Sequence, residues 1–550
     1  MSSDPLHDLR EAVRTASAAL GFANPQLSLE RPPKAELGDY STNAAMSMSK
    51  AAGRPPRELA GELGELLRAE LREGAREVTV AGPGFVNLFL TDRWYRDAVA
   101  SMLATESFGT ARGSARNVLL EFVSANPTGP LTVAGGRAAA YGDSLARVLT
   151  MAGHPVSREY YLNDAGTQIR NFAASIAARM RGEEPPEDGY VGAYIGELAG
   201  ELAAAGVGAD ELDQLAVRGV ETMRARIEAT LDRFRVRFDV WSSERSLREA
   251  GAVEETIAKL REGGKVFEQG GAIWLQTTDF GDDKDRVLIR SDGEPTYFAA
   301  DVAYHADKLT RGADLMIDPL GADHHGYVPR MKAAVAALGE DPERYEAPVM
   351  QLVHVVEGGE RAQMSKRKGE FVTLDELIDD IGTDAARFFL LQRSHDTTLD
   401  LDLGLARSAS QDNPVYYVQY AYARIASILR KAAAEGGPAD EDSLVAAAGE
   451  DAPRAAACEP AERALIRRLL DLPGEVGTAA DRRAPHRICA YAMATAADFH
   501  AFYRDCRVVG ADAEAGVVGL EASRLAVCLA AKRVLATSLE LIGCSAPERM

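Results

Sequence analysis

A mostly apolar run, Val118 to Val123, ends in a polar bend holding Pro127 and Pro130, and a small-residue stretch from Gly135 to Leu149 follows. This order predicts a strand, a phosphate-type loop and a helix, the unit of doubly wound α/β folds in which ligands bind beyond the strand's carboxyl end. From residue 111 to about 405 apolar runs alternate with helical patterns. That alternation predicts a parallel sheet, interrupted by a mostly helical insertion near 165 to 265. Residues 1 to about 110 mix helix with short strands, Val78 to Val80 and Phe85 to Leu90, around the turn Ala81-Gly82-Pro83-Gly84. From about 406 onward the period is helical. Ile488, Tyr491, Ala492, Thr495, Phe499 and Phe502 share one face, as do Leu525, Cys528, Leu535, Leu539 and Ile542. An alanine-, acid- and glycine-rich stretch near 432 to 457 reads as a long surface connection within that bundle.

A chain of 550 residues calls for two to four domains. The N-terminal segment, MSSDPLHDLREAVRTASAAL, has amphipathic-helix spacing and no signal-peptide core, and no run is long enough to span a bilayer; a cytoplasmic location is expected. The five cysteines all fall after residue 457, are odd in number and are not closely paired, which argues against a disulfide framework and a zinc site. They read as small apolar residues in helices. A formal net charge of −21 argues against a nucleic-acid partner unless basic residues are grouped locally, because phosphate contacts are screened beyond roughly 10 Å. Arg463, Arg467 and Arg468 form one such group, and Arg482, Arg483 and Arg487 another; a solvated helix face is the alternative reading.

Four groups carry candidate chemistry. Glu121, Ser124 and Asn126 stand where the first strand ends and could gather around a small cationic ligand, or Glu121 could pair with a neighbouring arginine. In Gly293-Glu294-Pro295-Thr296-Tyr297, continuing to Asp301, the tyrosine and aspartate are four apart. On a helix they share a face, and a phenol with a carboxylate suits a planar guanidinium. Gly321-Ala322-Asp323-His324-His325-Gly326 follows the apolar stretch Leu315 to Leu320; adjacent histidines rarely supply two ligands to one ion, so no metal is assigned. Gln363-Met364-Ser365-Lys366-Arg367-Lys368-Gly369 is a basic loop.

Residues 121 to 137, EFVSANPTGPLTVAGGR, resemble the first nucleotide-binding signature of class I aminoacyl-tRNA synthetases, and Met364-Ser365-Lys366 resembles the second. The flanks are similar to the arginyl enzymes: the Tyr297–Asp301 element, Asp384-Ala385-Ala386-Arg387, Asn413 to Ala421, the terminal Ser545 to Met550, and Gly38 to Asn43 with Gly82 to Asn87. The resemblance covers nearly the whole chain. It implies a Rossmann-like parallel-sheet core at 111–405, an N-terminal α+β domain at 1–110 that contacts the tRNA elbow, and an all-α anticodon-binding bundle at 406–550. It implies an arginine–tRNA ligase that uses ATP with magnesium as substrate, has no tightly bound cofactor, takes arginine and arginine tRNA as partners, and is a monomer away from membranes. By the same resemblance Glu121, Ser124, Asn126, Tyr297, Asp301 and His324 bind arginine. Pro130, Leu131, Thr132, Val133, Ala134, Gly135, Gly321, Asp323, Met364 and Lys366 bind ATP, with Lys366, Ser365, Thr132 and Gly135 as the catalytic positions. Asp39, Tyr40, Asn43, Asn87, Tyr417, Gln419 and Tyr420 contact tRNA, although tyrosines at helical spacing are more often core.

One departure stands out. Pro130, Leu131 and Arg137 set the register, and the family's His-x-Gly-His then falls on Thr132, Val133, Ala134 and Gly135; no histidine lies between His7 and His154. Losing one preorganised phosphate donor typically costs roughly 3–4 kcal/mol. Losing two would slow adenylation by about 10⁴ to 10⁶ if additive. Three functions remain open from the sequence: a ligase in which another cation, Arg137 or Lys366, substitutes for the histidines; a tRNA-binding pseudoenzyme; and a specialised low-activity or inhibitor-tolerant paralogue.

Overall fold

The computed structural model describes residues 4–22, 28–105, 108–110, 113–322, 326–361, 372–438, 440–449 and 457–550. Its centre is a five-stranded, all-parallel sheet. The strands are β1 (Val118–Glu121), β2 (Val156–Leu162), β3 (Val240–Ser243), β4 (Leu315–Ile317) and β5 (Tyr345–Glu346), in the spatial order β5-β4-β1-β2-β3. Val118, Leu119 and Leu120 are all buried, as a strand covered on both faces requires. The chain leaves β1 toward β2 and β3, then crosses back to β4. The topological switch point therefore lies between β1 and β4, where a ligand crevice opens beyond the strand ends.

Helix α1 (Val133–Met151) follows β1 and is buried along most of its length. Two glycines permit this. A Cβ on Gly142 would lie 2.2 Å from the Phe122 ring, and one on Gly136 would lie 2.7 Å from Leu374 Cδ1. Gly142→Ala is accordingly expected to destabilise the protein by about 1–3 kcal/mol through overpacking. A denaturant midpoint unchanged from the natural chain would contradict this tight helix–strand contact.

The insertion between β2 and β3 is helical, at Thr167–Met180, Ala193–Ala204 and α2 (Leu212–Arg233). Beyond β3, two short helices lead to a three-stranded antiparallel meander, Val266–Gln269, Ala272–Leu275 and Arg286–Ile289, which the sequence reading did not anticipate. Helices α3 (Tyr297–Thr310) and α4 (Tyr327–Ala337) flank β4, and α5 (Leu374–Leu391) packs on α1. Gly382, at φ 77°, breaks the regular course of α5.

In the N-terminal region an antiparallel sheet pairs Ala75–Ala81 with Phe85–Leu90 as a hairpin, with Tyr40–Thr42 and Leu29–Glu30 added outside Phe85–Leu90. The C-terminal region is a helical bundle built on α6 (Pro414–Ala434), α7 (His486–Asp505) and α8 (Leu520–Leu541). Both apolar faces expected there are buried, and all five cysteines are free and buried. The stretch read as a surface connection instead contains a helix, Glu441–Gly449, because Leu444 is buried and gives it an apolar side against α8.

Of the six arginines in the two groups, Arg482 is exposed and the other five are engaged by carboxylates. Arg463 pairs with Asp92 at 2.6 Å, Arg467 with Asp39 at 3.3 Å, Arg468 with Asp498 at 2.9 Å and Arg487 with Glu475 at 2.8 Å, while Arg483 grips Glu346 with two nitrogens. Three of these five join the bundle to the N-terminal sheet or the core. Among the described residues no helix is long and apolar enough to cross a membrane.

Candidate active site at the switch point

Parallel register aligns three carboxylates at the sheet's carboxyl end. Ile317 lies opposite Leu120, so Asp318 stands beside Glu121, and Glu121 lies opposite Glu159 on β2. Helix α3 covers this row and supplies its cations. Lys308 Nζ, wholly buried, donates to Glu121 Oε2 at 2.6 Å and to Asp318 at 2.9 and 3.1 Å, and lies 4.4 Å from the Tyr304 ring centroid. Arg311 forks onto Glu159 at 2.9 and 3.0 Å, where the Tyr304 hydroxyl also donates at 2.7 Å. His305 Nε2 meets Asp318 Oδ2 at 2.8 Å, and its Nδ1 meets the Asp301 carbonyl oxygen at 2.8 Å.

These contacts sort the carboxylates. Burial alone would raise all of them. At Asp318, Lys308 and His305 outweigh burial and hold the acid below its ordinary range; at Glu159, the hydrogen bonds from Arg311, Ser242 and Tyr304 do the same. Glu121 is pushed up by burial despite Lys308, with Asp318 adding repulsion. Asp301 is pushed up to about 6 by burial, against the Tyr327 hydroxyl that donates to it, with further repulsion from Glu121 and Glu244. Glu121 shares the Lys308 charge with Asp318, and among the described residues Asp301 has no ion pair, so both carboxyls stay above their ordinary range at one crevice.

Just beyond Glu121 the chain turns with Val123 at φ 68° and Ser124 at φ 39°. Positive φ at a β-branched residue is strained backbone of the sort found at ligand sites. The Ser124 amide donates to the Phe122 carbonyl at 2.9 Å, closing a γ-turn that brings Ser124 Oγ back to donate to Glu121 Oε1 at 2.9 Å. Asn126 follows in the same loop and is exposed.

The first signature caps α1. Thr132 is the N-cap, accepting from the Gly135 amide at 3.4 Å, and the Val133 amide donates to Val372 at 3.2 Å. The Leu374 amide donates to Leu131 at 2.8 Å, so the N-termini of α1 and α5 are stitched side by side. Val133 is buried, Ala134 exposed and Gly135 half-buried. Pro130 and Leu131 also line a cleft of about 400 Å³ against α2, with Met223 and Ile227 on its floor. Arg137 cannot substitute for a signature histidine: its guanidinium is spent on the carbonyls of Gln351, Leu352, Ser394 and Thr397, at 2.8 to 3.3 Å.

Other expected positions divide. Asp301 meets the phenol of Tyr327, not that of Tyr297, which opens α3 and is 64 % exposed. Gly321 ends a short strand after Asp318. Asp323, His324, Met364, Ser365 and Lys366 lie outside the described residues. In the N-terminal region Asp39, Tyr40 and Asn87, expected from the resemblance to contact tRNA, are buried. Asp39 accepts from the Leu90 amide at 2.8 Å and the Tyr95 hydroxyl at 2.7 Å, Asn87 from Ser41 at 2.7 Å, and Asn43 from the Ser28 amide at 2.8 Å. Gln419 is likewise buried and ties Asp384 to Ser545 at 2.8 and 3.0 Å, whereas Tyr420 is half-exposed and parallel to Tyr416 at 6.2 Å, with Tyr417 beside His500 at 4.9 Å. Lys308, Asp318, Glu159 and Tyr327 escaped the sequence reading. The available signal was a charge ending the apolar run Leu315 to Ile317 and a lysine seven residues after Asp301, on the same helical face.

Comparison with known proteins agrees along the chain. Residues 7–90 match the arginyl tRNA synthetase N terminal domain, 210–403 the class I (R) tRNA synthetase catalytic domain, and 418–550 the DALR anticodon binding domain. A solved structure assigned as an arginyl-tRNA synthetase from Campylobacter jejuni is 34 % identical, with a TM-score of 0.75 over 84 % of this chain and 100 % of that one. The Thermus thermophilus arginyl-tRNA synthetase is 26 % identical, with a TM-score of 0.77 over 99 % of this chain and 100 % of its own. The Plasmodium falciparum enzyme, 16 % identical over 98 % of both chains with a TM-score of 0.72, shares the fold. A carboxylate-rich crevice at the switch point, a helix N-terminus beside it and this end-to-end similarity have one common reading: the chain belongs to the arginyl-tRNA synthetase family.

Proposed function

We infer that the protein is an arginine–tRNA ligase. The arginine carboxylate attacks the α-phosphorus of ATP and pyrophosphate leaves; a ribose hydroxyl at the tRNA 3′ end then attacks the carbonyl of arginyl-adenylate and AMP leaves. The observation that carries the specificity is the pair Glu121 and Asp301 at one crevice, both raised by burial, with Asp301 outside any ion pair among the described residues. We assign them to the charged groups of arginine, with Ser124 orienting Glu121, Lys308 positioning it from below, and Tyr297 standing at the mouth one turn before Asp301.

For the phosphates we assign the exposed start of α1. A helix N-terminus turns a positive dipole end toward an anion; the Val133 and Gly135 amides are already engaged by Val372 and Thr132, and the exposed Ala134 offers its amide with only a methyl in the way. Thr132 adds a hydroxyl. By the family resemblance we also assign Lys366, Ser365 and Met364 to the phosphates, and Gly321, Asp323 and His324 to the adenosine and the arginine. Magnesium would enter with the nucleotide as part of the substrate and would neutralise phosphate charge. Tyr416, Tyr417 and Tyr420 are the side chains we assign to stacking on anticodon bases, and the N-terminal sheet to the tRNA elbow. The monomer and the cytoplasm are the assembly and location that fit this role.

The assignment has a pH signature. Asp301 must be ionised to receive a guanidinium, and in the free protein it titrates at about 6. Below that pH kcat/KM for arginine is expected to fall about tenfold per unit, and to be flat above pH 7. A profile flat down to pH 5 would remove Asp301 from arginine recognition. The function itself is tested by incubating the protein with radiolabelled arginine, ATP and transcribed arginine tRNA. Arginine-specific, ATP-dependent label on the tRNA is expected, and its absence would refute the assignment.

A further inference from the structure

A second ionic cluster lies between α1, β2 and the segment that follows α2, with Arg158 on the strand face opposite to that of its neighbour Glu159. Arg147 on α1, Arg158 at the start of β2, and Arg235 and Arg237 just after α2 line a recess of about 220 Å³ together with Asp143 and Asp232. This is unusual in a chain of net charge −21.

The local charges do not cancel. Asp143, fully buried, is already neutralised by Arg387 Nη2 at 2.6 Å and Arg147 Nε at 2.8 Å. Asp232 accepts from Arg237 Nε at 3.0 Å, and Arg235 reaches Asp384 and the Gly543 carbonyl. Asp239 is occupied by the Arg158 backbone amide at 2.8 Å. That leaves the Arg158 guanidinium: among the described residues its charge contact is Asp143 Oδ1 at 3.9 Å, and it donates no hydrogen bond. The outer nitrogens of Arg237, which is 83 % exposed at its side chain, add further free donors. Arg235 holds a left-handed conformation, φ 60°, at the end of α2, a position that ordinarily favours glycine. Its side chain is retained there despite the strain.

We propose that this recess binds a phosphate group through Arg158 and Arg237, with Arg147 and Arg235 supplying the surrounding positive field. Arginine forks match phosphate oxygens two at a time. The recess has room for a phosphate or pyrophosphate with some hydration. The same chemistry has two sources, a backbone phosphate of tRNA or a free inorganic anion.

The test uses the full chain, the exposed-side variant Arg237→Gln and the double variant Arg158→Gln/Arg237→Gln. Thermal shifts with inorganic phosphate and with pyrophosphate are read alongside the aminoacylation KM for tRNA as a function of salt. If the source is tRNA, the double variant raises that KM about three- to tenfold and lowers the salt slope by about 1, with arginine and ATP KM unchanged. If the source is a free anion, the tRNA KM is unchanged and the phosphate-induced shift of the natural chain shrinks in Arg237→Gln and is lost in the double variant. Arg237→Gln removes an exposed side chain, so its effect is readable even if the double variant folds poorly. Anion shifts and tRNA KM equal to the natural chain's in Arg237→Gln, and in the double variant where it folds, would overturn the proposal. The tRNA arm rests on the ligase reading; the anion arm does not, so failure of one is distinguishable from failure of the other.

Discussion

Replacing Asp301 with Asn is expected to raise the arginine KM about 10²- to 10³-fold while making the folded protein more stable above pH 7. The first effect follows from removing one charge of a buried ionic contact, which costs roughly 2–5 kcal/mol in binding. The second follows from the direction of the shift. The folded-state value of about 6 lies above the ordinary 3.8, so the penalty for the buried ionised group grows as the pH rises from 3.8 to 6, is fully present above that, and is relieved as the pH falls back through this window. Asn removes that charge, keeps a carbonyl for the Tyr327 hydroxyl, and is expected to gain about 1–3 kcal/mol at neutral pH. Denaturant titration at pH 8 beside arginine kinetics measures both. Loss of stability together with loss of activity would mean that Asp301 is structural.

Lys308→Met is expected to act in the opposite sense on stability. It leaves Glu121 and Asp318 side by side with only His305 to offset them, and breaking a buried pair by removing one partner costs about 3–5 kcal/mol. Activity falls as well, because one of the two carboxylates takes up a proton and Glu121, the one already raised, is the natural recipient. The double variant Lys308→Met/Asp318→Asn separates the roles: it removes the repelling charge and should recover much of the stability, a coupling measured by the double-mutant cycle. If the single variant melts at the natural chain's temperature, the network is not holding the crevice.

What was legible in the sequence was local. The strand, bend and helix from Val118 to Leu149 and the buried faces of α7 and α8 follow from periodicity, because each is decided by residues a few positions apart. The carboxylate row was not legible: Asp318 and Glu121 meet only through the register of β4 on β1, nearly two hundred residues apart. The four-residue spacing of Tyr297 and Asp301 correctly suggests a shared helix, but the Tyr297 side chain at its start is exposed, and the partner phenol comes from Tyr327 on the next helix. Likewise the arginine groups of the bundle could not be told from an RNA-binding patch, because their carboxylate partners lie on distant elements such as Asp39, Asp92 and Glu346.

The central claim is that this chain charges tRNA without the signature histidines, with the N-terminus of α1 set against the phosphates. The most direct measurement compares steady-state arginylation of arginine tRNA by the natural chain and by Thr132→His/Ala134→Gly/Gly135→His. A Cβ at position 135 meets only ordinary contact, 3.5 Å from Leu131, so the variant is sterically allowed, although losing the Thr132 cap costs it about 1 kcal/mol. The natural chain is expected to turn over at a rate of order 1 s⁻¹, within about tenfold of the variant. No arginyl-tRNA from the natural chain, with robust charging by the variant, would contradict the account.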